Sequence, residues 1–107
     1  MRLHMPSTIL RYKEKIPRET RMMLDALAEP TRQALAMLLA EKSELSFREL
    51  AQFVQPMNPS TLSHHLKALM KAGLVENHYR KIEGSGDYSF YRLTELGSEF
   101  LRRIGAL

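Results

Sequence analysis

The stretch Asn58-Pro-Ser-Thr-Leu-Ser-His-His-Leu-Lys-Ala-Leu-Met-Lys-Ala-Gly73 decides how the rest of the chain is read. It carries both a helix start and a helix stop. Asn58 can cap, Pro59 suits the first helical position, where no backbone N–H is needed, and Gly73 supplies the left-handed residue that ends a helix. Met57 and Leu62 stand at the two positions of a hydrophobic staple. At about 100° per residue, Leu62, Leu66, Leu69 and Met70 gather on one side of this helix. Ser60, Thr61, His64, Lys67, Ala68 and Lys71 gather on the other, a set that is short, polar or basic and contains no acid. Such a face can lie against a phosphate backbone and offer donors to base edges. It can equally be the solvated side of an ordinary amphipathic helix, and the flanking segments decide between the two.

Just upstream, Ser46-Phe-Arg-Glu49 is a capping box, serine followed three residues later by glutamate. Phe47, Leu50, Ala51 and Val54 then follow the spacing of an amphipathic helix. That helix ends before Pro56, because the residue before a proline avoids helical geometry. Two short helices joined by a tight turn, the second polar and basic on its outer face, make a helix-turn-helix. Downstream of Gly73 the period changes. Residues 74–82 and 88–93 are rich in β-branched and aromatic side chains and flank Glu83-Gly-Ser-Gly-Asp87, which predicts a β-hairpin with a glycine-rich tip. A hairpin directly after a recognition helix is a wing. It carries Arg80, Lys81 and Arg92 with Tyr79, Tyr88 and Tyr91 interleaved. Arg80 and Lys81 are assigned to phosphate contact, and the tyrosines to packing on the domain.

Further out, Pro17 starts a helix reaching about residue 28, with Met22, Met23, Ala26 and Leu27 as its apolar side. Here the methionines act as core or interface filler. Pro30 starts another, with Ala34, Leu35, Leu38 and Leu39 at helical spacing. Residues 43–45 read as a short connection. Thr94 caps a last helix, with Glu95 in its first turn and Arg102 and Arg103 near its end, as the helix dipole favours. Leu96, Phe100, Ile104 and Leu107 form a stripe along it. So much apolar surface needs a partner, either the helix at 17–28 or a second subunit, and twofold dimers are the commonest oligomers. Residues 1–16 read as an arm or a short extra helix, and residues 17–107 as the folded domain. The fold class expected is mainly α with a small β-hairpin, in the order α-α-α-α-β-β-α.

Composition narrows the function classes. A chain of 107 residues suits one small domain. Hydrophobic content of 44% and charged content of 26% are those of an ordinary globular protein. A net charge of +4 permits an anionic partner without demanding one. With no cysteine, disulfides and zinc–thiolate sites are excluded. No apolar run approaches the ~20 residues of a membrane span. The first 16 residues lack an apolar signal segment, so a soluble cytoplasmic protein is expected. No nucleophile elbow, phosphate-cradling glycine loop or His-Glu-x-x-His motif is present, and no enzymatic activity is expected. His64 and His65 point about 100° apart and cannot chelate one ion, and His4 and His78 are remote in sequence, so neither metal nor cofactor is expected. His65 sits near the apolar boundary as a packing residue. His64 points outward, and because its charge can change near neutral pH it can make binding pH-sensitive.

Leu27-Ala-Glu-Pro-Thr-Arg32, Ser63-His-His-Leu-Lys67, Ala72-Gly-Leu-Val75 and Tyr91-Arg-Leu-Thr94, in this order and spacing, resemble the ArsR/SmtB-type winged-helix transcriptional regulators. The similarity covers roughly residues 20 to 96; the segment at 93–97 is shared more loosely with MarR- and PadR-like regulators. The resemblance implies a homodimer through the first and last helices, with Met22, Met23, Leu96, Phe100 and Ile104 at the interface. It also implies two recognition helices entering successive major grooves of a near-palindromic double-stranded operator. Carried over by position, the DNA-reading residues are Ser60, Thr61, Ser63, His64 and Lys67, with Lys71 beside them and Arg80 and Lys81 in the wing.

Two departures matter. Metal-sensing members of that family use a Cys-x-Cys pair where this chain has Glu44-Leu-Ser-Phe-Arg-Glu-Leu50, or Asp/His pairs on a last helix that here holds no histidine. The resemblance therefore implies a regulator that works without metal. In addition, the turn before the recognition helix is one residue longer than usual and places Pro59 where a polar reader often sits, so the operator cannot be borrowed from relatives. The reading that follows is a sequence-specific DNA-binding regulator, expected to act as a repressor, with its effector unknown. The rival is a winged helix used for protein contact in a transcription or replication assembly. That rival calls for apolar anchors on the outer face of the 60–71 helix, which the sequence does not supply.

Overall fold

The computed structural model describes residues 6–13, 15–84, 86 and 89–107. Its elements are α1 (Ser7–Tyr12), α2 (Arg18–Leu27), α3 (Pro30–Lys42), β1 (Leu45–Ser46), α4 (Phe47–Phe53), α5 (Pro59–Lys71), β2 (Val75–Tyr79), β3 (Ser89–Leu93) and α6 (Glu95–Arg103). The helix order and the hairpin agree with the winged helix-turn-helix expected from the sequence. One strand was not anticipated. Leu45–Ser46, read as the end of a connection and a helix cap, pairs with β3, so the hairpin becomes a three-stranded antiparallel sheet in the order β1-β3-β2. Ser46 does both jobs. Its backbone lies in the strand, while its Oγ accepts from the Glu49 amide and the Glu49 carboxylate accepts from the Ser46 amide.

The orientation of α5 is set by its apolar side. Leu62, Leu66 and Leu69 are buried together with Leu35, Ala36 and Leu39 of α3, Leu50 of α4, and Leu45, Leu74 and Val75 around the sheet. Truncating one such leucine to alanine costs about 2–5 kcal/mol, against a total stability of about 5–15 kcal/mol for a domain. Rotating α5 would forfeit several of these contacts at once, so its polar face is held outward by the core behind it.

Both ends of α5 close as the sequence predicts. Asn58 Oδ1 accepts from the Ser60 amide at 2.7 Å. At the other end the Gly73 amide donates to Met70 O and the Leu74 amide to Leu69 O, a Schellman turn with Gly73 at φ +80°. The start of α6 is docked on this same turn. Thr94 Oγ1 donates to Gly73 O at 2.6 Å and accepts from the Gly97 amide at 2.8 Å. Gly97 is buried, and a Cβ there would meet the Leu74 carbonyl.

The joint between α2 and α3 gives a physical reason for the Leu27–Arg32 motif. Glu29 caps α3 by accepting from the Arg32 amide. The Arg32 and Gln33 side chains reach back to donate to Ala26 O at 2.7 Å and Leu27 O at 2.6 Å, the open carbonyls at the end of α2. Residues of α1 are all exposed, and the molecule measures 62 × 30 × 21 Å.

The two methionines of α2 expected at an interface differ in burial. Met23 is 4 % exposed and belongs to the core of its own chain, so it has no surface to present to a second subunit. Met22 is half-buried and lines a depression with Ala68 and Lys71 of α5 and with Ala72, the residue that follows it, on the side of α2 next to the recognition helix. The apolar residue that α2 does leave in the open is Leu24. It lies three residues before Leu27, which lines a depression with Leu101 and Ile104 of the last helical segment.

Candidate nucleic-acid interface

Helix α5 presents Ser60, Thr61, His64, Lys67 and Lys71 as exposed residues and Ser63 as half-buried. Pro59, Ser60, Ser63, His64 and Lys67 line one open depression of about 420 Å³. The first turn holds no acid, and among the described residues neither Lys67 nor Lys71 enters an ion pair. The face thus couples the positive end of a helix dipole with unneutralised lysines and short hydroxyl donors, a combination suited to phosphate and base-edge contact.

His64 and His65 divide as expected. Their rings meet edge-on with centroids 5.4 Å apart. His64 faces solvent. The His65 side chain is 13% exposed, with Nδ1 3.7 Å from the Glu29 carboxylate, and lies on the inner edge of α5 beside the α2–α3 joint.

The wing differs from the sequence reading at Arg80 and at Tyr79. Arg80 Nη2 lies 2.6 Å from Glu44 Oε1, and its guanidinium sits 4.4 Å over the Phe90 ring. Arg92 is paired with Glu76 at 2.7 Å. Lys81 is exposed and carries no ion pair among the described residues, which leaves it the wing cation open to a phosphate. Tyr91 packs as expected, half-buried with its ring 6.4 Å from Phe47. Tyr79 does not. It sits at the far end of β2, beyond the core, and is 78 % exposed. Tyr88 lies outside the described residues. Glu44, which sequence reasoning assigned no role, is the acid that organises this corner. No local pattern marks it, because its partners come 34 and 36 residues later and are brought to it by the pairing of β1 with β3.

Among the described residues, no group of three or more His, Cys, Asp or Glu side chains could hold a metal ion, and no helix is long and apolar enough to cross a membrane.

Comparison with known proteins agrees with this geometry. The family model described as bacterial regulatory protein, arsR family, matches residues 29–77, the span from the α2–α3 joint through α5 into β2. An uncharacterised HTH-type transcriptional regulator of Methanocaldococcus jannaschii is 33% identical over 70 residues, covering 65% of this chain and 72% of that one. Reduced HlyU from Vibrio cholerae superposes with a TM-score of 0.60 at 34% identity, over 91% of this chain and 99% of that one. The homodimeric winged helix-turn-helix DNA-binding domain of Mb0332 from Mycobacterium bovis, described as a possible ArsR-family transcriptional regulator, superposes with a TM-score of 0.64 at 24% identity, over 96% of this chain and 86% of that one. The chain belongs to the ArsR family of bacterial regulatory proteins and is a winged helix-turn-helix transcriptional regulator.

Proposed function

We propose that this regulator is a homodimeric repressor that binds a near-palindromic duplex through Ser60, Thr61, Ser63, His64, Lys67 and Lys71 of α5 and Lys81 of the wing, without a metal cofactor. The observation that carries the reading is the outer face of α5, exposed, acid-free and bearing two lysines that form no ion pair among the described residues, held outward by three buried leucines. The lack of cysteine supports release by a signal other than a metal held by thiolates. The exposed Leu24, Leu96 and Ile104, with half-buried Phe100 on the same helix as Leu96, supply the surface for a second copy. The rival use of this face for protein contact would need apolar anchors, and the exposed residues of α5 include no large apolar side chain.

The test is duplex binding by the parent, His64→Ala and Lys67→Ala, each checked for unchanged thermal unfolding. Weakened binding by both, with folding intact, is expected. If both bound a selected duplex as tightly as the parent, α5 would not be the element in the groove.

A further inference from the structure

The sequence assigns Arg80 to a phosphate, yet the structure gives it two partners of its own, Glu44 and Phe90. Glu44 stands in the connection before β1, with its side chain 23% exposed. Both carboxylate oxygens are engaged: Oε1 by Arg80 at 2.6 Å, and Oε2 by His78 Nε2 at 2.9 Å. His78 and Arg80 flank the Phe90 ring, the imidazole stacked at 5.9 Å and 30°, the guanidinium at 4.4 Å. Phe90 is only 5 % exposed, yet it is not part of the main core cluster. Its cover comes from these two polar side chains, which Glu44 in turn ties together. The result is a small cluster beside the sheet, built from the residue before β1, from β3 and from the end of β2, whose single acid pairs with one of the wing's two arginines.

We propose that Glu44 is a specificity-determining residue: it withholds Arg80 from the DNA backbone, so that the wing contributes little sequence-blind affinity and discrimination rests on α5. The proposal depends on the DNA-binding reading above. Its physical basis is that phosphate contacts strengthen binding to every duplex alike. An arginine free to reach a phosphate raises affinity for target and non-target DNA together. An arginine held by a charge-assisted contact to a carboxylate and stacked on a ring must first give up both.

The experiment compares the parent with E44Q, R80Q and the E44Q/R80Q double variant. Each is titrated against a selected duplex and a scrambled one across a range of potassium chloride concentrations. Each phosphate contact contributes about 0.9 to the slope of log K against log salt. E44Q is expected to steepen that slope by about one and to tighten scrambled-duplex binding several-fold more than target binding. R80Q alone is expected to leave the parent slope unchanged. The double variant should return the slope to the parent value, which separates release of Arg80 from simple loss of a negative charge. An unchanged slope in E44Q overturns the proposal. So does a slope that falls by about one in R80Q, since Arg80 would then already be a phosphate ligand with Glu44 in place. That second measurement stands even if E44Q folds poorly. A parent that binds no duplex at any salt overturns the DNA-binding reading and this one with it, whereas a parent that binds while E44Q leaves its slope unaltered overturns this one alone.

Discussion

Lys67 and Lys71 lie one helical turn apart on the outer face of α5, and no carboxylate among the described residues neutralises either. Replacing either with alanine should lower the salt slope of duplex binding by about one and weaken all sequences alike. His64 belongs to a different class. If it meets a base edge, His64→Ala should cost about 1–3 kcal/mol on the preferred duplex and much less on a scrambled one. Binding isotherms on the two duplexes at several salt concentrations distinguish these patterns. A loss for His64→Ala that is equal on both duplexes would make it a phosphate contact instead. At this scale the recognition face was legible in the sequence, because a helical period sorts Ser60, His64 and Lys67 from Leu62, Leu66 and Leu69 without any tertiary information. The state of Arg80 was not legible. Its ion-pair partner is Glu44, 36 residues away, and only the fold brings the two together.

Among the elements, α6 depends on how it is seated. Thr94 spans the gap between the α5–β2 turn and the first turn of α6, and Gly97 lets the helix approach the Leu74 carbonyl. Gly97→Ala would ordinarily favour a helix. Here the added methyl meets backbone, so the variant should lose about 1–3 kcal/mol as an overpacked site. Thr94→Ala should lose about 0.5–2 kcal/mol with its cap. Thermal or urea unfolding measures both, and a stabilised Gly97→Ala would show that α6 is not pressed against that turn. Further along, Glu99 is held below the ordinary carboxylate range by the hydrogen bond from Arg103 and then that from Arg102. A depressed carboxyl stabilises the fold at pH above its unfolded value, and the contribution disappears as pH falls through the folded one. The cluster is open to solvent and screened by salt. Glu99→Gln should therefore leave unfolding unchanged at high salt, and at low salt lower stability slightly near neutral pH, with the difference from the parent vanishing as pH falls. The caps of α4, α5 and α6 could all be read from the sequence, since each is a local pattern. Strand β1 could not. Two residues carry no periodic signal, and Ser46 displays only its role as a cap.

For the molecule as a whole, the apolar surface left open is concentrated at the two ends of the chain. Leu24 of α2 and Leu96, Ile104 and Leu107 towards the C-terminus are all exposed. The last-helix stripe was evident from spacing alone. Which side of α2 is open was not legible, because a run of apolar residues at 22, 23, 24, 26 and 27 does not say which member faces inward. The structure turns Met23 into the core and Leu24 out. Leu24→Glu and Ile104→Glu should each shift sedimentation from dimer towards monomer at micromolar concentration while the helical spectrum persists. A parent that sediments as a monomer would remove the dimer. The two symmetric half-sites, the salt-dependent contacts and the choice of α5 as reader come together in one measurement, selection of bound DNA from a random duplex pool. The account predicts enrichment of a near-palindromic consensus whose halves are centred about one helical turn apart, with enrichment lost in the His64→Ala variant. No enrichment, with binding absent even at low salt, would contradict it.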